Sequence, residues 1–402
     1  MTITPTHQRK RDGGWRRRTV LRTTAGLAGL AVFGRSSADT VSRRVLLSGN
    51  ATDGTVTIAD ATSYEPLLTI DAYPVGTKED LLRDAIEHTI GAVINAFTRE
   101  NYLEHANLSP DGRTVYIARG HVGDVVAIDL ETQEKRWERS LTGFRADHQT
   151  ISPDGTYIYT ADILADQIDV IDAETGAIID AAYAPNLPHG VQFRRLPAFD
   201  NRPILVNGSL GNMIFPDTTF GDPFVHRLSF IDPTTLRPLQ TVSLDEGIRP
   251  FSFSPDGRYC YCQESYFHGF HEVDIARGEI IRTKSLPKTE HVPADPAEYP
   301  MQAAHHGIGV SGDGKYLCVA ATTGWYVAIL NREDLSVVKR IDVGAHPYWV
   351  ETSDDGRFAF VPVRGDNEIV VINYASQEIV NRIPTGSEPH VIETGTIPDR
   401  LL

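Results

Sequence analysis

The chain has 402 residues, 41% of them hydrophobic and 23% charged, with a formal net charge of −15 and three cysteines. That length can bury a sizeable core, and the acidic balance repels phosphate backbones, which excludes nucleic acid as a natural partner. Three cysteines do not make a disulfide framework, and the lack of CxxC and CxxCH motifs excludes a thioredoxin-type couple and covalent c-type haem.

The N-terminal stretch "RRRTVLRTTAGLAGLAVFG" sets Arg17 and Arg18 before a short, weakly apolar run, and Ser36–Ala38 supplies a small-residue cleavage site. This order of basic, apolar and small segments resembles a twin-arginine export signal. The resemblance implies the twin-arginine machinery as a partner, passage as a folded protein, and a periplasmic, extracellular or cell-envelope location. Cutting near Ala38 removes eight basic residues and one acidic residue, which takes the net charge from −15 to about −22. No later run reaches about 18 consecutive apolar residues, so residues 39–402 carry no predicted transmembrane segment.

Residues 72–104 read as an insertion. Within it Leu81, Leu82, Ala85, Ile86, Ile90, Val93, Ile94 and Phe97 recur at helical spacing behind a Thr77 N-cap. This predicts a helix of about 20 residues over one face of the fold, as a lid or a fixed cover.

Around and beyond it the sequence repeats. A tetrapeptide recurs as SPDG (109–112, 152–155 and 254–257), SGDG (311–314) and SDDG (353–356), each followed by a strand-like run. Alternating apolar segments end at Asp60, Asp129, Asp172, Asp232, Asp274, Asn331 and Asn373. Their successive spacings are 69, 43, 60, 42, 57 and 42, a unit near 42 residues carrying three long insertions. Seven units of that length, four short strands each, predict an all-β, seven-bladed β-propeller. The first unit lacks its innermost strand, and "PHVIETG" (389–395) is a spare one, so the C-terminal strand is expected to close the ring.

The stretch "SPDGTYIYTADILADQIDVIDAETGAII" resembles the YVTN-type propeller repeat, and the pattern runs over nearly all of 40–396. It departs from the repeat in blade four, where "RLPAFDNRP" stands in place of SPDG. The resemblance is specific for fold. Distantly similar propellers include lactonases, streptogramin-type lyases, amine dehydrogenase heavy chains and the haem-binding propeller of cytochrome-type nitrite reductases, so it leaves the activity open.

With strands a to d alternating across each blade, the a–b and c–d turns share one face, and the b–c and d–a connections share the other. All three long insertions (72–104, 210–226 and 286–304) fall on the second face, where a rigid scaffold usually binds. Ten of the 14 histidines map there too. His105, His148, His189, His306 and His390 open strand a in five blades, while Arg249 and the pair Tyr348 and Trp349 take that position in the other two. His305 is an extra beside His306, and His268 lies in the aromatic loop "SYFHGFHEVD" with Tyr266 and Phe267.

Converging neutral imidazoles suit a transition metal (Cu, Fe or Zn), and Asp147 precedes His148. Arg249, Tyr266, Phe267, Trp325, Tyr348 and Trp349 are the expected lining for an organic ligand. The site expected here takes a small molecule or metal at the channel mouth, with redox, lyase or lactonase chemistry open to it. The competing explanation is a ring of histidines that bond backbone carbonyls of the next blade, in a non-catalytic envelope scaffold for a protein or glycan. GxSxG, Walker, dinucleotide-binding and HExxH motifs are all absent, which argues against a nucleotide cofactor and a nucleophilic serine hydrolase.

Overall fold

The computed structural model describes residues 41–73, 89, 101–211 and 226–402. The export segment, nearly all of the expected helix and most of the 210–226 loop lie outside the described residues. Those described form seven four-stranded antiparallel sheets. The innermost strands are Pro389–Pro398 (blade one), His105–Leu108 (two), Ala146–Ile151 (three), Pro188–Leu196 (four), Ile248–Phe253 (five), Ile308–Val310 (six) and Glu351–Thr352 (seven). Each touches the next, and blade seven returns to blade one, so the seven surround one axis. As the missing strand predicted, Pro389–Pro398 pairs antiparallel with Ser42–Asn50, from Ser42 opposite Pro398 to Asn50 opposite Pro389. It extends three residues beyond the expected end.

The apolar core is split into seven clusters, each wedged between neighbouring blades. Strand b of blade two, Thr114–Arg119, shows how the sequence builds two of them. Val115 and Ile117 point into the cluster shared with blade one, while Tyr116 and Ala118 point into the cluster shared with blade three. Side chains alternate across a strand, so one strand feeds both wedges and is buried throughout. Each fully buried aliphatic side chain contributes roughly 1.5–3 kcal/mol. Cys260 and Cys262 are buried in the blade four–five wedge as free thiols. With apolar side chains held between blades, the axis is left to polar ones.

The a–b turns are self-sufficient. In blade three, Ser152 Oγ donates to Asp154 Oδ1 at 2.6 Å and accepts from the Tyr157 amide at 3.0 Å, while the Gly155 amide donates to the Ser152 carbonyl at 2.8 Å. Gly155 has φ +74°, a left-handed position where glycine meets no steric penalty. Blade four reaches the same reversal differently, with Asp200 and Asn201 both left-handed at φ 57° and 54°.

The opposite ends of the inner strands are irregular. The pairing register slips between Ala146 and Gln149, between Pro188 and Val191, between Ile248 and Phe251, and between Ser48 and Asn50, opposite His390. In each case two residues oppose one, a β-bulge that re-aims side chains. The bulges hold Asp147–His148, His189–Gly190, Arg249–Pro250 and His390–Val391.

Candidate functional site

The bulged residues meet as a collar around the axis. His148 and His189 lie 4.5 Å apart by ring centroid, His189 and His306 5.5 Å, and His306 and His390 6.1 Å. The Tyr348 ring stacks on His306 at 3.8 Å and meets His390 edge-on at 4.4 Å. Trp349 lies 5.4 Å from His148, and His105 closes the circle 5.5 Å from His148. These rings are all buried, His306 completely. One ring nitrogen each of His148, His189 and His306 lies within 4.8 Å of the others, and His148 forms a second such trio with Glu104 and Asp147.

Hydrogen bonds at His105 set the tautomer of His148. With Glu393 ionised, His105 Nε2 donates to Glu393 Oε1 at 2.8 Å, the shorter of its two contacts (Asn107 Nδ2 stands at 3.4 Å), which leaves Nδ1 of His105 as an acceptor. The Gln149 amide donates to that Nδ1 at 3.4 Å, as the assignment requires. In that arrangement His148 Nδ1, 3.3 Å away, carries the proton and His148 Nε2 presents a bare lone pair. That nitrogen has no hydrogen-bond partner among the described residues, and neither does His189 Nδ1 or either nitrogen of His306. A buried polar atom left unpaired costs about 1–3 kcal/mol, so a row of them marks a place prepared for something else.

The electrostatics keep these lone pairs available. Burial, reinforced by neighbouring positive charge, holds His148, His189, His306 and His390 well below the usual imidazole range, so they are neutral. Arg249 contributes at His148, His189 and His306, and Arg364 at His390. Burial and the nearby Asp147 push the Glu104 carboxyl up to about 8, and burial raises Asp147 as well. Asp147 Oδ1 lies 3.7 Å from His189 Nε2, and Glu104 Oε1 lies 3.3 Å from His390 Nε2. Arg145 reaches both carboxylates at 3.7 Å.

Five of the expected ring histidines are therefore brought together, with Asp147, Tyr348 and Trp349. Arg249 sits in the same layer but is tied elsewhere, to Ser265 Oγ at 3.0 Å and the Gln302 carbonyl at 2.8 Å. The outer aromatic candidates have partners in the loops instead. Trp325 stacks on His291 at 4.1 Å, Phe267 stacks on His271 at 5.0 Å, and Tyr266 lies 6.2 Å from Tyr299. His268 Nε2 lies 2.9 Å from Tyr299 Oη, and its ring is 5.5 Å from His305, whose two nitrogens are unpartnered among the described residues.

Sequence reasoning missed Glu104, Arg145, Arg364 and Glu393. The signal at the first two was a charge immediately before the strand-opening histidine: "EH" at 104–105 and "RADH" at 145–148. The site was expected at a mouth on the long-loop face beneath a covering helix, and the collar residues are buried. A cavity of about 570 Å³ runs from His105, His148 and Trp349 toward the opposite face, where it meets the turns at Ser311–Gly312 and Ser353–Gly356. Arg194, Glu351 and Glu393 line its length.

The chain matches no protein-family model, and no curated protein matches it. Among solved structures it is similar to the hydrazine synthase of Kuenenia stuttgartiensis at 18% identity and a TM-score of 0.59, covering 80% of this chain and 89% of that one. It is also similar to NirN, a dihydro-heme d1 dehydrogenase solved in complex with DHE, at 17% identity and a TM-score of 0.51, covering 87% and 74%. At that identity the likeness carries the fold alone, and the fold it carries is the one the seven sheets describe: the chain is a seven-bladed β-propeller closed by its last strand.

Proposed function

We propose that this protein binds a transition-metal ion of the Cu, Fe or Zn class through His148, His189 and His306, at the centre of its inner-strand collar. The observation that carries this reading is the trio itself: three neutral imidazoles with ligand atoms within 4.8 Å of one another, each with at least one ring nitrogen that has no hydrogen-bond partner among the described residues. A structural histidine ring has the opposite signature, nitrogens bonded to backbone carbonyls of the next blade. Three imidazoles on one ion leave a coordination position open, as in catalytic rather than closed structural sites. Bound there, the metal would supply Lewis-acid or redox chemistry. The chain's own residues orient the ligands: the Glu393–His105–His148 series fixes one imidazole, and Asp147 faces the next. The twin-arginine resemblance adds export of the folded, metal-loaded protein.

The test is elemental analysis of the untagged protein from its native export route, with an ultraviolet–visible spectrum. The expected result is near one metal ion per chain, falling below a tenth in His148→Ala and His306→Ala. Metal-free wild-type protein that stays metal-free after exposure to Cu, Fe and Zn salts would overturn the reading and return the ring to a scaffold role.

A further inference from the structure

The collar also contains buried cations with unused donors. Arg145 is 4% exposed, and its Nε and Nη1 have no hydrogen-bond partner among the described residues. Its nearest carboxylate oxygens, on Glu104 and Asp147, stand at 3.7 Å, beyond direct hydrogen bonding. Arg364 is equally buried. Its Nη2 donates to Glu388 at 2.5 Å and its guanidinium lies 4.9 Å over the Tyr348 ring, but its Nη1 has no partner among the described residues. An unpaired buried guanidinium donor is costlier than a neutral one. Arg145, Arg249 and Arg364 all stand in this layer, and among the described residues only Arg364 makes a direct carboxylate hydrogen bond, to Glu388, while the Glu104 and Asp147 carboxylates face Arg145 from 3.7 Å.

We infer that the collar takes a compact oxyanion, a small carboxylate or an inorganic oxyanion, held by Arg145 and Arg364 beside His148, His306 and His390. This deepens the metal reading and rests on it for the chemistry: Arg364 lies over the Tyr348 ring that stacks on His306, and Arg145 faces the Asp147 carboxylate beside His189, so an anion on the arginines would lie next to the three imidazoles. The fork of a guanidinium matches two acceptor oxygens, which an ammonium cannot do. Size is limited by the ring spacing, with His148 6.3 Å from both His306 and His390 by centroid. That excludes a bulky organic anion from the collar itself. The axial cavity reaches the collar at His105, His148 and Trp349.

Calorimetric titration with acetate and with inorganic phosphate, on metal-loaded and on chelator-stripped protein, tests this. One saturable site for at least one probe is expected, weakened at least tenfold in Arg145→Lys, which keeps the charge and loses the fork, and in Arg364→Gln. Metal content is expected to be unchanged in both variants. Acetate alone binding would assign a carboxylate, and phosphate alone an inorganic oxyanion. Arginine-dependent binding to protein that never takes up metal would uphold the anion site while removing the metal reading. Metal-loaded protein that binds neither probe, or variants that bind like the wild type, would overturn the inference and leave the metal reading standing.

Discussion

The two ends of each inner strand obey different rules. At the a–b turns, the Ser hydroxyl bonds the Asp carboxylate and the Gly amide bonds the Ser carbonyl within the same four residues, and the pattern is the same in blades two, three, five, six and seven. At the collar, the strands bulge, the side chains differ from blade to blade, and buried nitrogens on His148, His189, His306, His390, Arg145 and Arg364 go unpaired among the described residues. A polar group kept for stability is satisfied where it stands, whereas one kept for a ligand waits for it. The contrast separates scaffold from site within strands only a few residues long.

Several substitutions can break or sharpen that contrast. The largest effect expected is the loss of metal in His148→Ala and His306→Ala, with the metal-free protein melting close to the wild type. Next is Gly112→Ala. Gly112 sits at φ +68°, and an added Cβ would meet the Thr396 carbonyl at 2.1 Å. A cost of about 2–4 kcal/mol in chemical denaturation is expected, from backbone strain and overpacking together, with metal content intact. A metal loss in that variant would erase the distinction between the two ends.

His105→Phe keeps a ring of similar shape but removes the acceptor for His148 Nδ1. Metal affinity should fall roughly 10- to 100-fold, as for other partners that orient a ligand. Unchanged affinity in a competition titration would detach His105 from the site. Ser152→Ala removes two turn hydrogen bonds and should cost about 1–2 kcal/mol without touching the metal.

The smallest effect concerns pH and lies outside the collar. Burial, with Asp169 adding to it, pushes Asp162 up to about 7 from an ordinary 3.8. The folded state holds that proton more tightly than the unfolded one, so the contribution is whole below about 4 and is lost as pH rises through 7. Asp162→Asn carries no such charge, and its side-chain oxygen can still accept from the Gly143 amide, which now bonds Asp162 at 2.8 Å. The variant should therefore gain on the wild type between pH 4 and pH 8. Melting curves that differ by the same amount at both values would remove Asp162 as the source.

Much of the scaffold was legible because repetition is a sequence property. Asp60 to Asn373 counted the blades, and the orphan strand at 389–395 declared the closure. The histidine ring was legible for the same reason, as a recurring position. The direction of its side chains was not. Whether His148 faces solvent or the axis depends on one extra residue in the pairing with strand b, and a bulge has no fixed sequence signature. Only Pro250 and Gly190 hinted at it, being residues that a regular inner strand avoids. Arg145 and Arg364 escaped because they come from different loops and converge only in space. The expected helix and the 210–226 loop lie almost wholly outside the described residues.

Ring closure also imposes a schedule. Arg43 bonds Asp399, 356 positions away in the chain. At roughly 5–20 residues per second, a ribosome needs roughly 20–70 s to supply the second partner after the first. Through that interval Val45, Leu46 and Leu47 lie on an unpaired strand edge, the feature most prone to recruit foreign strands. Translation thus sets a lower limit on the time spent as an open arc. Slow codons late in the message would lengthen the period of risk for residues made at its start.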